Sequence, residues 1–195
     1  MIFWVLVVAL FLRLPFLSSS LWLDEAIQAL ALQGRMGPLL TYALADFQPP
    51  LYHFVLKIWT NYLGYSEHIL RLPSLLFGLG TIYLVYLIAK LLSNSKTALI
   101  AAILATTNPL LIYYSTEGRT YALTAFLVTA SFYFFFRKNL VFFAITTASY
   151  LWTSYLSWFL ALALGFYLLV TKNWRYLFTL IISALTLVFW LPSLH

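Results

Sequence analysis

The sequence contains no cysteine and very few charged residues. Of its 195 residues none is Cys, and Asp, Glu, Lys and Arg together make up only 8%. The absence of cysteine excludes a disulfide framework, a thiolate metal site and a thiol nucleophile. The scarcity of charge excludes an intrinsically disordered chain, because such chains stay solvated through high charge and low hydrophobicity.

Apolar residues are abundant instead. Hydrophobic residues make up 64% of the chain and aromatic residues 19%, with a mean hydropathy of +0.93. An ordinary soluble domain is roughly half apolar and about a quarter charged, and a small globule leaves much of its apolar surface exposed. We therefore expect lipid to surround this chain. The net charge of +6 does not indicate nucleic-acid binding, because the basic residues are scattered among apolar runs.

Seven apolar segments are candidates for membrane-crossing helices, which need about 20 mainly apolar residues and roughly 17 at the lower end. In chain order they are Met1–Leu17, Leu72–Leu92, Thr97–Ser115, Tyr121–Phe136, Leu140–Ser154, Leu156–Thr171 and Tyr176–Leu191. The first segment has a second interpretation as a signal peptide, with Ser18–Ser20 as small residues near a cleavage site. It has no basic residues before its apolar run, however, and Arg13 interrupts its end.

The segment Pro50–Leu63 decides the topology. As a helix it reaches about 21 Å, which is short of a hydrocarbon core of about 30 Å. His53, Lys57 and Asn61 follow one another at four-residue intervals, so they form a polar stripe on an apolar helix. The tandem prolines that precede this stretch suit a helix start. We predict an amphipathic helix that lies in the membrane interface rather than a span.

The distribution of charge supports a seven-span topology with the N-terminus inside. The inside loops then contain only basic residues, namely Lys90, Lys96, Arg137, Lys138, Lys172 and Arg175. All the acidic residues lie outside, namely Asp24, Glu25, Asp46, Glu67 and Glu117. If Pro50–Leu63 crossed with the N-terminus still inside, the basic residues would move outside. An eight-span chain with its N-terminus outside keeps the basic residues inside, but it places Asp24 and Glu117 on opposite faces of the membrane.

We therefore expect an all-α polytopic membrane protein with about seven transmembrane helices, located in the cell membrane. Residues 18–71 form a first outer loop with interfacial amphipathic helices, and residues 1–195 form a single module, because no repeat, low-complexity tract or linker divides the chain. Long structured loops on a rigid scaffold are common places for function. The active face is expected to be extracytoplasmic.

Two outer segments carry ionisable residues, which are costly at membrane level and therefore suggest function. The first outer loop contains Asp24 and Glu25 at a predicted helix start, and a second corner contains Glu117 and Arg119. Each feature has a plainer alternative. The Asp-Glu pair suits a helix N-terminus, Glu117 and Arg119 could form a local ion pair, and Arg71 could be an interfacial anchor.

A metal site is the weakest of the chemical interpretations. A divalent cation could in principle bind the carboxylates together with one imidazole, namely Asp24, Glu25, His53 and Glu117. Their spacing matches no known ligand pattern. Glycine-rich phosphate loops and the common zinc-protease and serine-hydrolase motifs are absent as well. We expect neither a cofactor nor a metal.

Four motifs follow one another in an order that resembles a known enzyme family. They are LWLDEAIQALAL, QPPLYHFVLKIW, SEHILRLPSLLFGLGTIYLVYLIAKLL and NPLLIYYSTEGRTYALTAFL. An Asp-Glu pair after a first span is weak by itself, as is Pro-Pro-Leu. Together with Arg-Leu-Pro-Ser and Ser-x-Glu-x-Arg-x-Tyr they are specific. The chain resembles, over essentially its whole length, membrane glycosyltransferases of the GT-C superfamily, of the protein O-mannosyltransferase and aminoarabinose-transferase type.

The resemblance implies transfer of a sugar from a polyprenyl-phosphate-linked donor to an acceptor hydroxyl on the outer face, with inversion at the anomeric carbon. It maps the catalytic carboxylates onto Asp24 and Glu25, with Asp24 as the base that takes the hydroxyl proton. The leaving lipid phosphate needs a cation, for which Arg119 is the first choice and Lys57 and Arg71 lie on the same side. Sugar and lipid contacts are expected from Glu117, Gln48, Tyr52, His53 and Tyr121.

Two departures from the resembled family bear on function. Some relatives carry His or Lys where this chain has Gln48, so that position supplies a hydrogen bond but no charge. Relatives also usually continue with more crossings, which implies that acceptor recognition is missing, comes from a partner subunit, or is confined to this core. The acceptor, whether protein, lipid or glycan, is not identified by the sequence.

Three functions remain open at this point. The first is the glycosyltransferase, whose partners are the donor, an acceptor and membrane lipids, with no nucleic acid. The second is a non-catalytic subunit that binds the lipid-phosphate sugar and needs a partner for turnover. The third is a small transporter, which predicts charges at mid-membrane, whereas the charges here lie at the ends of the predicted spans.

Overall fold

The computed structural model describes residues 1–34, 36–46 and 48–190, and this part of the chain is helical with no strand. The prediction of an all-α chain is confirmed. Eleven α-helices are described, with bounds α1 Ile2–Arg13, α2 Leu23–Gln33, α3 Met36–Ala45, α4 Leu51–Leu63, α5 Glu67–Leu92, α6 Ser95–Thr107, α7 Pro109–Tyr114, α8 Thr120–Phe136, α9 Leu140–Leu151, α10 Leu156–Val170 and α11 Trp174–Leu185. Short 3₁₀ turns extend α1 and α11.

One described helix, α5, is long and apolar enough by itself to cross a bilayer. Its 26 residues rise about 39 Å. Shorter apolar helical segments follow the order of the other predicted spans, namely Ile2–Phe16, Ser95–Thr107, Thr120–Phe136, Leu140–Leu151, Leu156–Val170 and Trp174–Val188. The membrane-like composition is therefore spread over many helices, and the number that cross remains a prediction.

The predicted third span is two helices rather than one. The Asn108 side chain accepts a hydrogen bond from the Leu111 N–H at 3.0 Å and so caps the start of α7. Pro109 has no N–H to continue the ladder of α6 and disfavours helical geometry at the residue before it. Asn108 is accordingly extended, with φ −65° and ψ 119°. The break turns α7 toward the corner that precedes α8.

Helix α5 is the centre of the bundle and packs against α1, α6 and α8. Small side chains allow this close packing, since Ala9, Ile82 and Ala102 meet with no exposed surface. Gly78 makes a second close approach possible. A Cβ at Gly78 would lie 2.3 Å from the Cβ of Ser115, so only glycine lets the corner before α8 reach α5.

Helices α2, α3 and α4 form the first loop over one end of the bundle. Their apolar faces meet α5 and α8 in a cluster that consists of Ala29, Leu32, Leu39, Tyr52, Leu56, Leu70 and Leu123. The predicted helix over Pro50–Leu63 is found as α4. The polar stripe of α4 is not exposed along its whole length, however, because His53 is fully buried while Asn61 is exposed. Tyr42 and Asp46 lie against the His53 ring, and sequence periodicity does not indicate these contacts.

Candidate functional site

A polar pocket of about 330 Å³ opens where α2 begins and where the corner between α7 and α8 turns. Its lining residues are mainly acidic, basic and aromatic, namely Trp22, Leu23, Asp24, Glu25, Tyr113, Tyr114, Glu117, Arg119 and Tyr121. We call this site the polar pocket. The structure thus brings together both outer segments that the sequence analysis singled out. A larger cavity of about 540 Å³ between α10 and α11 is wholly apolar and has no titratable group.

Glu25 and Arg71 form a closed, buried ion pair behind this pocket. The two guanidinium nitrogens Nε and Nη2 donate to the Glu25 carboxylate at 3.0 and 2.6 Å. The remaining guanidinium N–H groups donate to the hydroxyl and carbonyl oxygens of segment 16–20. Arg71 is 1% exposed and does not line the polar pocket. Its donors are used within the protein, so none remains for a donor phosphate.

The Glu25 carboxylate also fixes two backbone N–H groups. It accepts hydrogen bonds from Gly118 at 2.6 Å and from Trp22 at 3.1 Å. Burial favours a raised Glu25 pKa, but the hydrogen bonds from Arg71, Gly118 and Trp22 outweigh it and hold the pKa below its usual range. Glu25 is therefore an ionised group that joins the start of α2 to the corner before α8.

The corner is also held by a buried arginine from α1. The Arg13 Nε donates to the Ser115 hydroxyl at 2.7 Å, and its Nη1 donates to the Ala9 carbonyl at 2.9 Å. Ser115 itself lies against Gly78 of α5. The sequence analysis treated Arg13 only as an interruption of the first span. Its contacts instead hold the corner between α7 and α8 against the end of α1.

Arg119 is held by Tyr42 of α3 and by Asp46, directly after α3, rather than by its neighbour Glu117. Its Nη2 donates to Asp46 at 2.9 Å, and its Nη1 donates to the Tyr42 hydroxyl at 3.0 Å. The same Nη2 lies 4.0 Å from the Asp24 carboxylate. Among the described residues no ion pair joins Glu117 to Arg119. The alternative of a local ion pair between these neighbours is therefore wrong. Burial acts to lower the pKa of Arg119, but the hydrogen bond that it donates to Asp46 and the negative charge of Asp46 help to outweigh burial, and the pKa is raised.

Asp24 is the accessible carboxylate of the pocket. Its side chain is 69% exposed, whereas Glu25 next to it is 3% exposed. Asp24 lies in the first turn of α2, where the helix dipole stabilises negative charge. Adjacent residues on a helix point in different directions, which explains why one carboxylate faces inward and the other faces the pocket.

Glu117 lines the pocket in a half-buried position. Burial and the charge of Glu25 raise its pKa, and a hydrogen bond from the Tyr113 hydroxyl offsets part of this shift. The rings of Tyr114 and Tyr121 lie 4.6 Å apart beside it. Aromatic faces next to a polar group are suited to contact with sugar rings and prenyl chains.

Lys57 and Tyr52 lie away from the polar pocket. The Lys57 ammonium donates to the carbonyls of Leu32 and Gly34 and so caps the C-terminal end of α2. Tyr52 is fully buried, and its hydroxyl is bonded to that of Ser74 at 2.9 Å. Neither side chain lines the polar pocket, and their contact with the donor stays a prediction.

His53 lies close to Asp46 and Arg119, and Gln48 is a further side chain with a buried polar atom. The His53 Nε2 lies 3.9 Å from Asp46, but both ring nitrogens lack a hydrogen-bond partner among the described residues. The same holds for the amide of Gln28 and for the Gln48 side-chain oxygen. Burial and the charge of Arg119 lower the His53 pKa to about 4, so the imidazole is neutral near pH 7.

Asp46 is the functional candidate that sequence reasoning missed. It was counted among the outer acids, and nothing in its spacing links it to Arg119, which follows 73 residues later. Its pKa is raised by burial, and the hydrogen bond from Arg119 offsets part of that shift. Tyr42, one turn earlier on α3, was missed for the same reason.

The described residues include no group of three or more His, Cys, Asp and Glu side chains arranged to hold a metal ion. Asp24, Glu25 and Glu117 line one pocket, while His53 lies on the other side of Arg119. The electropositive group of the polar pocket is therefore the Arg119 guanidinium.

Comparison with known proteins identifies the family. The family model of dolichyl-phosphate-mannose-protein mannosyltransferases matches residues 47–194, which is well over half of the chain. The matched range includes Arg71, Glu117 and Arg119 and begins after Asp24 and Glu25. Searches of curated proteins and of solved structures gave no match. The order of motifs and the extent of this match place the chain in the dolichyl-phosphate-mannose-protein mannosyltransferase family of GT-C-type glycosyltransferases.

Proposed function

We propose that this glycosyltransferase moves a sugar from a polyprenyl-phosphate-linked donor to an acceptor hydroxyl, with inversion at the anomeric carbon. The observation that carries the proposal is the juxtaposition of Asp24 and Arg119. An exposed carboxylate and a held guanidinium lie 4.0 Å apart in one polar pocket. Sugar transfer from a lipid phosphate needs these two groups, because one proton must be removed and one negative charge must be stabilised.

Asp24 is the proposed general base. The acceptor oxygen attacks the anomeric carbon, its proton passes to the Asp24 carboxylate, and the bond from the anomeric carbon to the phosphate oxygen breaks. Asp24 suits this role because it is accessible and makes no hydrogen bond through its carboxylate among the described residues. Glu25 does not suit it, since both of its oxygens accept hydrogen bonds from Arg71 and the backbone. We assign Glu25 and Arg71 a positioning role.

Arg119 is the proposed phosphate-binding group. Two of its hydrogen bonds go to Tyr42 and Asp46, and a guanidinium has five N–H donors. N–H donors of Arg119 therefore remain for the oxygens of the leaving phosphate. The hydrogen bonds that Arg119 donates to Tyr42 and Asp46 hold the plane of its guanidinium in place. A phosphate bound there would separate Arg119 from Asp24. Glu117 and Tyr121 are proposed to contact the sugar from the opposite wall.

We further propose that residues 1–195 form one membrane module with seven crossings and that the polar pocket opens on the outer face. The separation of charge along α8 supports this orientation. Arg119 and the acidic residues lie at its start, while Arg137 and Lys138 follow its last residue. Basic residues favour the inner side.

A panel of polyprenyl-phosphate sugars tests the proposed function. Purified protein is incubated with donors that carry mannose, glucose or aminoarabinose, and release of the free lipid phosphate is measured. Release with one donor identifies the sugar and supports the transferase. Donor binding without release across the whole panel would instead support a non-catalytic binding subunit.

A further inference from the structure

A second pocket, with two cations in a mainly apolar lining, lies at the other end of α8. Its volume is about 400 Å³, and its lining consists of Phe135, Phe136, Lys138, Leu140, Asn173, Arg175 and Tyr176. We call it the basic pocket. It lies between the turn that joins α8 to α9 and the turn that joins α10 to α11. The 17 residues of α8 separate it from the polar pocket by about 25 Å.

Among the described residues, the cations of the basic pocket have no acidic ion-pair partner. Lys138, in the turn after α8, and Arg175, in the first turn of α11, are exposed, and Arg137 and Lys172 lie close to them in the chain. All ion pairs between described residues lie at the other end of the bundle. The positive-inside bias accounts for the sign of these charges, but it does not require that two of them line a common cavity.

The two turns have the same backbone form. Lys138 and Lys172 both have φ of 55°, in the left-handed region. In each turn the N–H of the following asparagine closes onto a carbonyl five residues earlier at 2.9 Å. This closure is typical of Schellman-type helix ends. Lys138 is therefore presented by a turn that is tied to the end of α8, and Arg175 lies in the first turn of α11, directly after the second turn.

The wall of the basic pocket is aromatic. The rings of Phe135 and Tyr176 lie 4.9 Å apart in an edge-to-face contact, and Tyr176 is 9% exposed. Phe143 packs on Tyr176 from behind, with 5.0 Å between the ring centroids. A ligand at this site thus meets two cations at the rim and a firmly packed apolar surface next to them.

We propose that the basic pocket binds the phosphate of an anionic glycerophospholipid, whose acyl chains lie against Phe135, Phe136 and Leu140. Cationic groups next to an apolar wall match a headgroup attached to hydrocarbon, and basic pockets between membrane helices bind such headgroups. The assignment to the inner leaflet rests on the orientation proposed above, whereas the cavity and its charges do not. The site is separate from the donor site, since the two lie at opposite ends of α8.

Native mass spectrometry of the purified full chain tests this proposal. The probe is phosphatidylglycerol in mixed micelles, with phosphatidylcholine as the zwitterionic reference. The test variant is the double substitution Lys138→Gln and Arg175→Gln. The matched control is Lys90→Gln and Lys96→Gln, which removes the same charge from the predicted inner face outside the basic pocket.

Wild-type protein and the control should retain phosphatidylglycerol over phosphatidylcholine, while the test variant loses it. Two cations at about 1 kcal/mol each correspond to about a thirtyfold lower affinity. The conservative pair Lys138→Arg and Arg175→Lys should restore retention and shows whether loss of fold explains the result. Equal loss in the test variant and the control would overturn the proposal, as would unchanged retention in the test variant.

Inorganic phosphate distinguishes a lipid headgroup from a free anion. Added at millimolar concentration, it should leave the bound phosphatidylglycerol in place, because it cannot use the apolar wall. Displacement of the lipid at that concentration would show that the site takes free phosphate and would overturn the lipid assignment. Lipid retention is measured without any sugar donor, so its failure and a failure of the proposed transferase activity are separate results.

Discussion

At the scale of single residues, two adjacent carboxylates have opposite environments. Asp24 is largely exposed at the pocket, and Glu25 is buried in a network that lowers its pKa. Neighbouring carboxylates with different surroundings commonly have different roles in catalysis. We infer that Asp24 takes part in the chemistry while Glu25 holds the α2 start against the corner.

Replacement of Asp46 by Asn is expected to lower sugar transfer about tenfold or more, because it removes a charge-assisted hydrogen bond that orients Arg119. Asp46→Glu should recover part of the activity. The measurement is kcat and KM for the donor in both variants. Glu67→Gln, which removes an acidic charge outside the polar pocket, is the control. Equal activity in Asp46→Asn and wild type would contradict the positioning role.

Burial of His53 predicts an acid-dependent loss of stability. Its folded pKa of about 4 lies below the ordinary value of 6.5. Between these two pH values the unfolded chain binds a proton that the folded chain does not, so stability falls as pH is lowered, by up to about 3 kcal/mol. His53→Gln should flatten the melting temperature between pH 6.5 and 4 relative to wild type. An unchanged slope would show that His53 is not the group responsible.

The sequence identified residues that line the polar pocket but not the long-range contacts that hold them in place. The motifs placed Asp24, Glu117 and Arg119 at one site because each lies next to a predicted helix end. The partners Asp46 and Arg71 belong to long-range contacts, and local periodicity carries no information about which distant side chain meets a given one. For Arg71 the sequence suggested a phosphate contact or an interfacial anchor, and it gave no sign of the bonds to the carbonyls of segment 16–20.

At the scale of helices, the corner between α7 and α8 is the element that assembles the site. It is tied to α1 through Ser115, to α2 through Gly118 and to α3 through Arg119. The helical content and the helix over Pro50–Leu63 were predictable from apolar runs and the tandem prolines. The break within the third predicted span was not, since an apolar run that contains Asn108 and Pro109 still passes a hydropathy test.

Gly78→Ala tests this element directly. The added Cβ would lie 2.3 Å from the Ser115 Cβ, so the corner must shift, and we expect destabilisation of about 1–3 kcal/mol together with reduced sugar transfer. Gly37→Ala is the matched control, because an added Cβ there meets nothing within 4 Å. Melting temperature and lipid-phosphate release are measured for both. Equal behaviour of the two variants would contradict the role of the close approach.

At the scale of the whole molecule, charge is separated between the two ends of the bundle. The described acidic residues gather around the start of α2, α5 and α8, and the basic pocket lies at the far end of α8. This separation is consistent with a polytopic membrane protein in which α4 lies along the surface. Among the described helices, α5 alone is long and apolar enough to cross by itself, so the proposed topology depends on whether the residues before and after α4 lie on the same side of the membrane.

The absence of cysteine makes the topology directly testable. Thr41→Cys and His68→Cys introduce single thiols before and after α4 at exposed positions, and Lys96→Cys introduces one at the predicted inner side. A membrane-impermeant maleimide added outside should label the first two and leave the third unlabelled until the membrane is permeabilised. Labelling of Thr41→Cys and His68→Cys from opposite sides would show that α4 crosses and would separate the two halves of the polar pocket.

The central claim is that Asp24 removes the acceptor proton while Arg119 holds the leaving phosphate. Single-turnover release of lipid phosphate by Asp24→Asn, compared with Glu67→Gln and with donor binding measured in parallel, tests it most directly. We expect Asp24→Asn to bind the donor as wild type does but to release lipid phosphate at least about 100-fold more slowly, while Glu67→Gln is unaffected. Release by Asp24→Asn at the wild-type rate would contradict it.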